Sequence, residues 1–209
     1  MSKQRLQRHW PVLQAILHPQ IPRCGEQLEL GEALWTVRDW QEGVSYAQLL
    51  HQREQRQMLF GPGEVLLLLR QLLPVLAVVH GRGLVHGDVN PRNLLRRSAD
   101  GLPVLLDFGL VQAEGEDPLP GATPGYAPRA QGRGESCAAW MDLHGLGVSS
   151  LVLLTGRPPE QLLSPSGESW CWPEQLVLTA DFHEVLQRLL SEDPQRRFGD
   201  AASGLAVLK

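Results

Sequence analysis

Cysteine is scarce in this chain. Cys24, Cys137 and Cys171 are its three thiols, too few and too scattered for a disulfide framework or a zinc knuckle, so reduced thiols in a cytoplasmic setting are the expectation. No charge of one sign dominates: 19 Lys and Arg against 23 Asp and Glu leave −4, which gives no electrostatic footprint for nucleic acid. The apolar run from Val65 to Val79 is broken by Arg70, Gln71 and Pro74, and reads as too short and too polar for a membrane span. Basic residues near the N-terminus are not followed by an apolar stretch, so no signal peptide is read there. Two local absences matter more. No acidic residue precedes Glu26, and no Ser, Thr or Tyr lies between Gly109 and Thr123.

At 209 residues the chain can form one domain with a real core, or two small ones. Lys3 to Leu17 reads as a helix with Leu6, Leu13, Ile16 and Leu17 on its apolar side, although Pro11 is an awkward interior residue. Two strand-like runs follow, Glu26 to Leu30 and Ala33 to Val37, joined by Gly31-Glu32 as a hairpin. A helix from Ser45 to about Gln52 comes next, then a long one from Pro62 to His80, with Pro in its first turn and Gly81 and Gly83 past its end. This helix is apolar nearly all round, which predicts burial in a helical layer. Leu94 to Arg97 and Leu102 to Leu106 form a second hairpin around Ser98-Ala99-Asp100-Gly101. Helices are predicted over Cys137 to Leu154, Pro159 to Leu163, Ala180 to Leu190 and Ala201 to Leu208.

The chemistry is concentrated in His86-Gly87-Asp88-Val89-Asn90-Pro91-Arg92-Asn93-Leu94-Leu95 and Asp107-Phe108-Gly109. Mg²⁺ takes oxygen ligands, so an Asp and an Asn carbonyl converging on one point can hold it against phosphate oxygens. Either segment alone also suits an ordinary turn. Three further segments follow in order: Thr123-Pro124-Gly125-Tyr126-Ala127-Pro128, Asp142-Leu143-His144-Gly145-Leu146-Gly147-Val148, and Asp193-Pro194-Gln195-Arg196-Arg197. Together they resemble the catalytic loop, magnesium loop, substrate-seating loop, central helix and closing Asp-Pro-x-x-Arg of protein kinases, with bacterial Ser/Thr kinases the nearest likeness.

The resemblance implies an α+β, protein-kinase-like fold: a mainly α-helical C-lobe over residues 43–209, preceded by a remnant N-lobe over 1–42 made of one helix and a β-hairpin. It implies ATP and Mg²⁺ as cofactors, Asp88 as the base that accepts the proton of the attacking hydroxyl, and Asn93 and Asp107 as metal ligands. Leu95 would be the floor under adenine, His86 a packed residue beneath Phe108, and Asp142 an acceptor for the catalytic-loop backbone. Arg38, in the hinge-like Val37-Arg38-Asp39-Trp40, falls at the back of the adenine pocket. There it is either a solvated strand-end charge or a substitute for a missing cation.

That cation is the first departure from the family, which carries a Gly-rich roof over the phosphates and a strand Lys paired with a helix Glu. Here both the roof and the Lys are missing, and His9 stands near the position of the Glu. Gly87 replaces the Arg that reads activation-loop phosphate, and the segment after Gly109 has no hydroxyl to phosphorylate, so control by phosphorylation there is not expected. Asn90 replaces the catalytic-loop Lys. Ala130 or Arg129 stands where a Glu would close on Arg197, leaving that guanidinium in need of Glu135 or water as acceptor.

The expectation is thus a serine/threonine kinase-like protein with weak Mg-ATP binding and little or no transfer to protein hydroxyls. The alternatives are a non-catalytic scaffold completed by a partner protein, an active kinase whose start lies upstream of Met1, and a small-molecule phosphotransferase. The last is disfavoured by the Thr123 to Pro128 segment. Self-association through the exposed sheet edge, left open beside apolar residues such as Leu34, is a further expectation.

Overall fold

In the computed structural model, residues 3–166 and 169–208 are described. Helix α1, Lys3–Gln14, buries Leu6, His9, Trp10 and Leu13, the spacing of one helical face. It stops earlier than its sequence pattern, because beyond Pro11 only one more turn forms before the chain tightens at Ile16 N–H to Leu13 O, 3.1 Å. Ile16 still enters the core, whereas Leu17 is 70% exposed. Met1 and Ser2 lie outside the described residues.

Strands β1 (Cys24–Leu30) and β2 (Ala33–Arg38) form the antiparallel hairpin read from the sequence, with Leu30 opposite Ala33 across the Gly31-Glu32 turn. Alternation decides which residues it buries. Leu34, Thr36 and Arg38 turn inward, while Trp35 and Val37 join Leu28 and Leu30 on the exposed face. Trp10 Nε1 and Gln14 Nε2 both donate to Gly25 O, at 2.9 and 2.7 Å, fixing the hairpin on α1.

Strand β3 (Gly43–Ser45) pairs with β5 (Leu94–Arg97), and β5 with β6 (Pro103–Leu105), in a three-stranded antiparallel sheet. Between them in sequence, β4 (Leu84–Val85) pairs with β7 (Gln112–Ala113). Helix α2, Tyr46–Glu54, opens on a capping box: Ser45 Oγ accepts from Gln48 N–H, and Gln48 Oε1 accepts from Ser45 N–H, both at 3.2 Å.

Helix α3, Pro62–His80, buries Val65, Leu68, Leu69, Leu72, Leu73, Val75, Leu76 and Val79. By length and composition alone it could cross a bilayer, contrary to the sequence reading, but 44% of its most apolar window is buried inside this molecule. Burial is not all round either, since Leu67 is 53% exposed. Its neighbours are α5 (Ala139–Thr155) and α7 (Ala201–Val207). Helix α5 is the core of the molecule, buried at every residue from Ala139 to Leu154. Against it packs α6 (Ala180–Leu190), whose Phe182, Val185, Leu186, Leu189 and Leu190 form one apolar stripe capped by Thr179. Truncating a fully buried leucine such as Leu146 to Ala would cost about 2–5 kcal/mol. The short α4 (Arg129–Gly132) follows the Thr123–Pro128 loop, and Pro159–Gln161 is a single 3₁₀ turn where the sequence suggested a helix reaching Leu163.

Candidate active site

The loop between β4 and β5 is held from below by one carboxylate. Asp142, in the first turn of α5, accepts from His86 N–H (Oδ2, 2.8 Å) and Gly87 N–H (Oδ1, 2.9 Å), and its Oδ2 also meets His80 Nε2 at 2.9 Å. Burial pushes the Asp142 carboxyl up, but the hydrogen bond and charge of His80 and the Gly87 N–H outweigh it. The group is held below its ordinary value. Two glycines make this seating possible. Gly87 has φ +81°, and a Cβ there would lie 2.7 Å from Leu110 O; a Cβ on Gly145 would lie 2.6 Å from Val89 O, so only glycine lets α5 approach the loop this closely.

On that support His86 donates from Nε2 to Leu106 O at 2.7 Å, accepts Asp88 N–H at Nδ1 (3.2 Å), and stands edge-on to Phe108 with ring centroids 4.8 Å apart. It is a packed residue, as the sequence suggested. Asp88 is held on both oxygens: Oδ1 accepts Thr123 N–H at 2.9 Å and Oδ2 accepts Asn93 Nδ2–H at 2.8 Å. Asn90, buried, donates to Asp88 O and to Thr123 Oγ1, each at 3.1 Å. A neutral amide therefore ties the loop carrying Asp88 to the Thr123–Pro128 loop, a bridge between residues 33 apart that local sequence does not announce.

Asn93 and Asp107 come together through the sheet. Leu94 pairs with Leu105 and Leu106 N–H donates to Asn93 O at 2.8 Å, so Asn93 leads into β5 beside the end of β6, and Asp107 follows one residue later. Asp107 is exposed and left-handed at φ +52°, with Oδ1 accepting Gly109 N–H at 3.0 Å. The donor set suits a hard cation: Asn93 directs its N–H groups to Asp88, leaving the carbonyl oxygen, and Asp107 retains Oδ2. Leu95 is buried in the central strand of the β3-β5-β6 sheet, opposite Ser45 and Val104.

Arg38 lies at the end of β2 with its guanidinium carbon 5.7 Å from the Trp10 ring centroid and 5.9 Å from that of Phe108. Arg38 is half-buried, and its Nε is buried without a hydrogen-bond partner among the described residues. Burial pushes the neighbouring Cys24 thiol up, and the Arg38 charge partly offsets this.

The far end of the substrate-side loop departs from the sequence expectation. Arg197 does not use Glu135: it donates to Glu192 O at 2.9 Å and lies 3.9 Å over the Trp140 ring, while Glu135 pairs with Arg133 at 2.7 Å. The Glu192 carboxylate turns the other way, accepting from Arg129 N–H at 2.9 Å and pairing with the Arg129 side chain at 3.4 Å. The nearby carboxylate thus goes to Arg129, and Arg197 is satisfied by a backbone carbonyl and an aromatic face instead. Nearby, His144 Nδ1 meets Tyr126 O at 3.2 Å; burial holds this imidazole below its ordinary pKa, so it is the neutral ring that donates. A cavity of about 600 Å³ lies beside the loop rather than over Asp88, lined in part by Gly125, Arg129, His144, Trp170 and Trp172.

These features agree with comparisons to known proteins. A family model described as the protein kinase domain matches residues 1–206. Serine/threonine-protein kinase-like protein E of Synechocystis sp. is 37% identical over 188 residues, 88% of this chain and 26% of that protein. Serine/threonine-protein kinase C of the same organism is 32% identical, over 92% of this chain and 37% of that one. The chain therefore spans between a quarter and two-fifths of the length of these relatives. Among solved structures, the Mycobacterium tuberculosis PknI kinase domain superposes with TM-score 0.77 at 26% identity, covering 99% of this chain and 77% of that domain. The ordered motifs, the α+β fold and these matches lead to one conclusion: the chain belongs to the protein kinase family, with bacterial serine/threonine kinases among its relatives.

Proposed function

We propose that the chain binds Mg-ATP weakly through Asn93 and Asp107, and that Asp88 is the base for any slow transfer to a protein hydroxyl. The observation that carries this reading is the double anchoring of Asp88, by Asn93 on one oxygen and by the backbone of Thr123 on the other. A hydroxyl presented by the Thr123–Pro128 loop would thereby stand near the carboxylate that takes its proton. In transfer, the hydroxyl oxygen forms a bond to the γ-phosphorus, the bond to the β-phosphate oxygen breaks, and the proton passes to Asp88. Mg²⁺ would supply charge neutralisation on the phosphates. Leu95 would underlie the adenine. Arg38 is the candidate cation behind the site, because its guanidinium abuts Phe108, next to Asp107, with a buried donor unused.

Affinity is expected to be low because Asn90 is neutral where the family places a Lys. Calorimetric titration with ATP, with and without Mg²⁺, tests the reading. Weak, metal-dependent binding that Asp107→Ala abolishes is the expected result; tight binding indifferent to the metal would overturn it.

A second reading, a non-catalytic scaffold completed by a partner protein or a second copy, draws on the outer face of the β1-β2 hairpin. Leu28, Leu30, Trp35 and Val37 are 46–65% exposed there. Normal Mg-ATP affinity restored on adding a partner would favour it.

A further inference from the structure

One side of α1 carries Arg5, Arg8 and His9, three and four residues apart and so on one face, with no acid in the helix to balance them. Their acceptors lie in the segment that follows Asp107-Phe108-Gly109. Glu116 meets His9 Nε2 on Oε2 at 3.0 Å and Arg8 Nη1 on Oε1 at 3.3 Å, and Oε2 also accepts Ala113 N–H at 3.0 Å. Arg5 donates to Asp117 O at 2.6 Å and reaches Gln112 Oε1 at 3.5 Å. From the other side, Cys137 N–H donates to Glu116 O and Gly115 N–H to Cys137 O, both at 2.8 Å.

We propose that Glu116 is a positioning residue for the magnesium-nucleotide site, a built-in anion that holds the Asp107–Asp117 segment against α1 without any modification. This rests on the kinase-like reading of Asp107. The mechanical link is short: β7, Gln112–Ala113, pairs with β4 immediately before His86, and Ala113 N–H is one of the donors on Glu116. Fixing Glu116 therefore fixes the strand between the two loops that carry Asp88 and Asp107. The segment has no Ser, Thr or Tyr to carry a phosphate, so the anion facing α1 is the Glu116 carboxylate itself, and His9 stands where a carboxylate would repel it.

The test uses Glu116→Gln and His9→Gln, separately and together, with Glu116→Asp as the charge-retaining control. Amide hydrogen exchange at residues 107–117 and calorimetric titration with Mg-ATP are the readouts. Expected are faster exchange at Phe108–Leu110 as well as Gln112–Ala113, affinity reduced about threefold to tenfold in either single variant, no further loss in the double, and partial recovery with Asp. Faster exchange confined to residues 112–117, with affinity unchanged, would overturn the proposal and leave a local structural contact. If the wild-type chain binds no Mg-ATP, the proposed function fails instead. The clamp is then decided by exchange at Phe108–Leu110 alone: acceleration there supports it, and its absence overturns it.

Discussion

The two ends of this molecule treat their polar and apolar groups in opposite ways. Around α5, every residue from Ala139 to Leu154 is buried, and the one carboxylate there, Asp142, satisfies two backbone N–H groups and an imidazole. Around the β1-β2 hairpin, Trp35, Leu28, Leu30 and Val37 face outward, Trp40 is 88% exposed, and a guanidinium N–H of Arg38 is buried with no acceptor among the described residues. The Asp88 loop rests on α5 through Asp142, whereas the hairpin side is held to α1 by hydrogen bonds from Trp10 and Gln14 to Gly25 O.

The strongest way to break this contrast is to remove the seat. Asp142→Ala would leave His86 N–H and Gly87 N–H without an acceptor and is expected to cost about 3–5 kcal/mol in denaturant unfolding. A loss below about 1 kcal/mol would mean the loop is held by other contacts. Gly145→Ala attacks the same approach sterically, with a Cβ 2.6 Å from Val89 O, and is expected to cost about 1–3 kcal/mol while weakening any Mg-ATP binding.

A smaller effect sharpens the comparison through pH. The folded pKa of His144 is lowered, so between that value and the unfolded value near 6.5 the unfolded chain binds the extra proton. Its contribution is complete above the unfolded pKa and is lost as pH falls below it, at no more than about 1.4 kcal/mol per pH unit. Unfolding between pH 7.5 and 5.5 should show this loss, and His144→Gln should flatten it. The smallest change in stability belongs to the hairpin. Leu28→Gln with Trp35→Gln should alter folding by no more than about 0.5 kcal/mol per site, yet reduce concentration-dependent light scattering. If the unmodified chain is monodisperse at every concentration, the exposed face needs no cover.

Much of the site was legible because its chemistry is local. Asp88 and Asn93 lie five residues apart in one loop, Asp107 ends a hairpin with a turn signal, and Ser45 with Gln48 spells its own helix cap. Order along the chain then added Thr123 and Asp142. Charge pairing was less legible: Glu135 looked available to Arg197, but the ring of Trp140 and the carbonyl of Glu192 take that guanidinium, and Arg129 takes the Glu192 carboxylate. Many carboxylates can serve one arginine, and only packing chooses.

By itself, then, the sequence determined the hairpins and the four long helices to within a few residues, because backbone propensity and short spacings act between near neighbours. Tertiary structure alone decided that His9 would face Glu116 across 107 residues, that His80 would join Asp142 across 62, and that Arg38 would turn inward beside Phe108. Those contacts depend on the distance between surfaces that meet only after α1, α3 and α5 have packed, and no local pattern of residues encodes that distance.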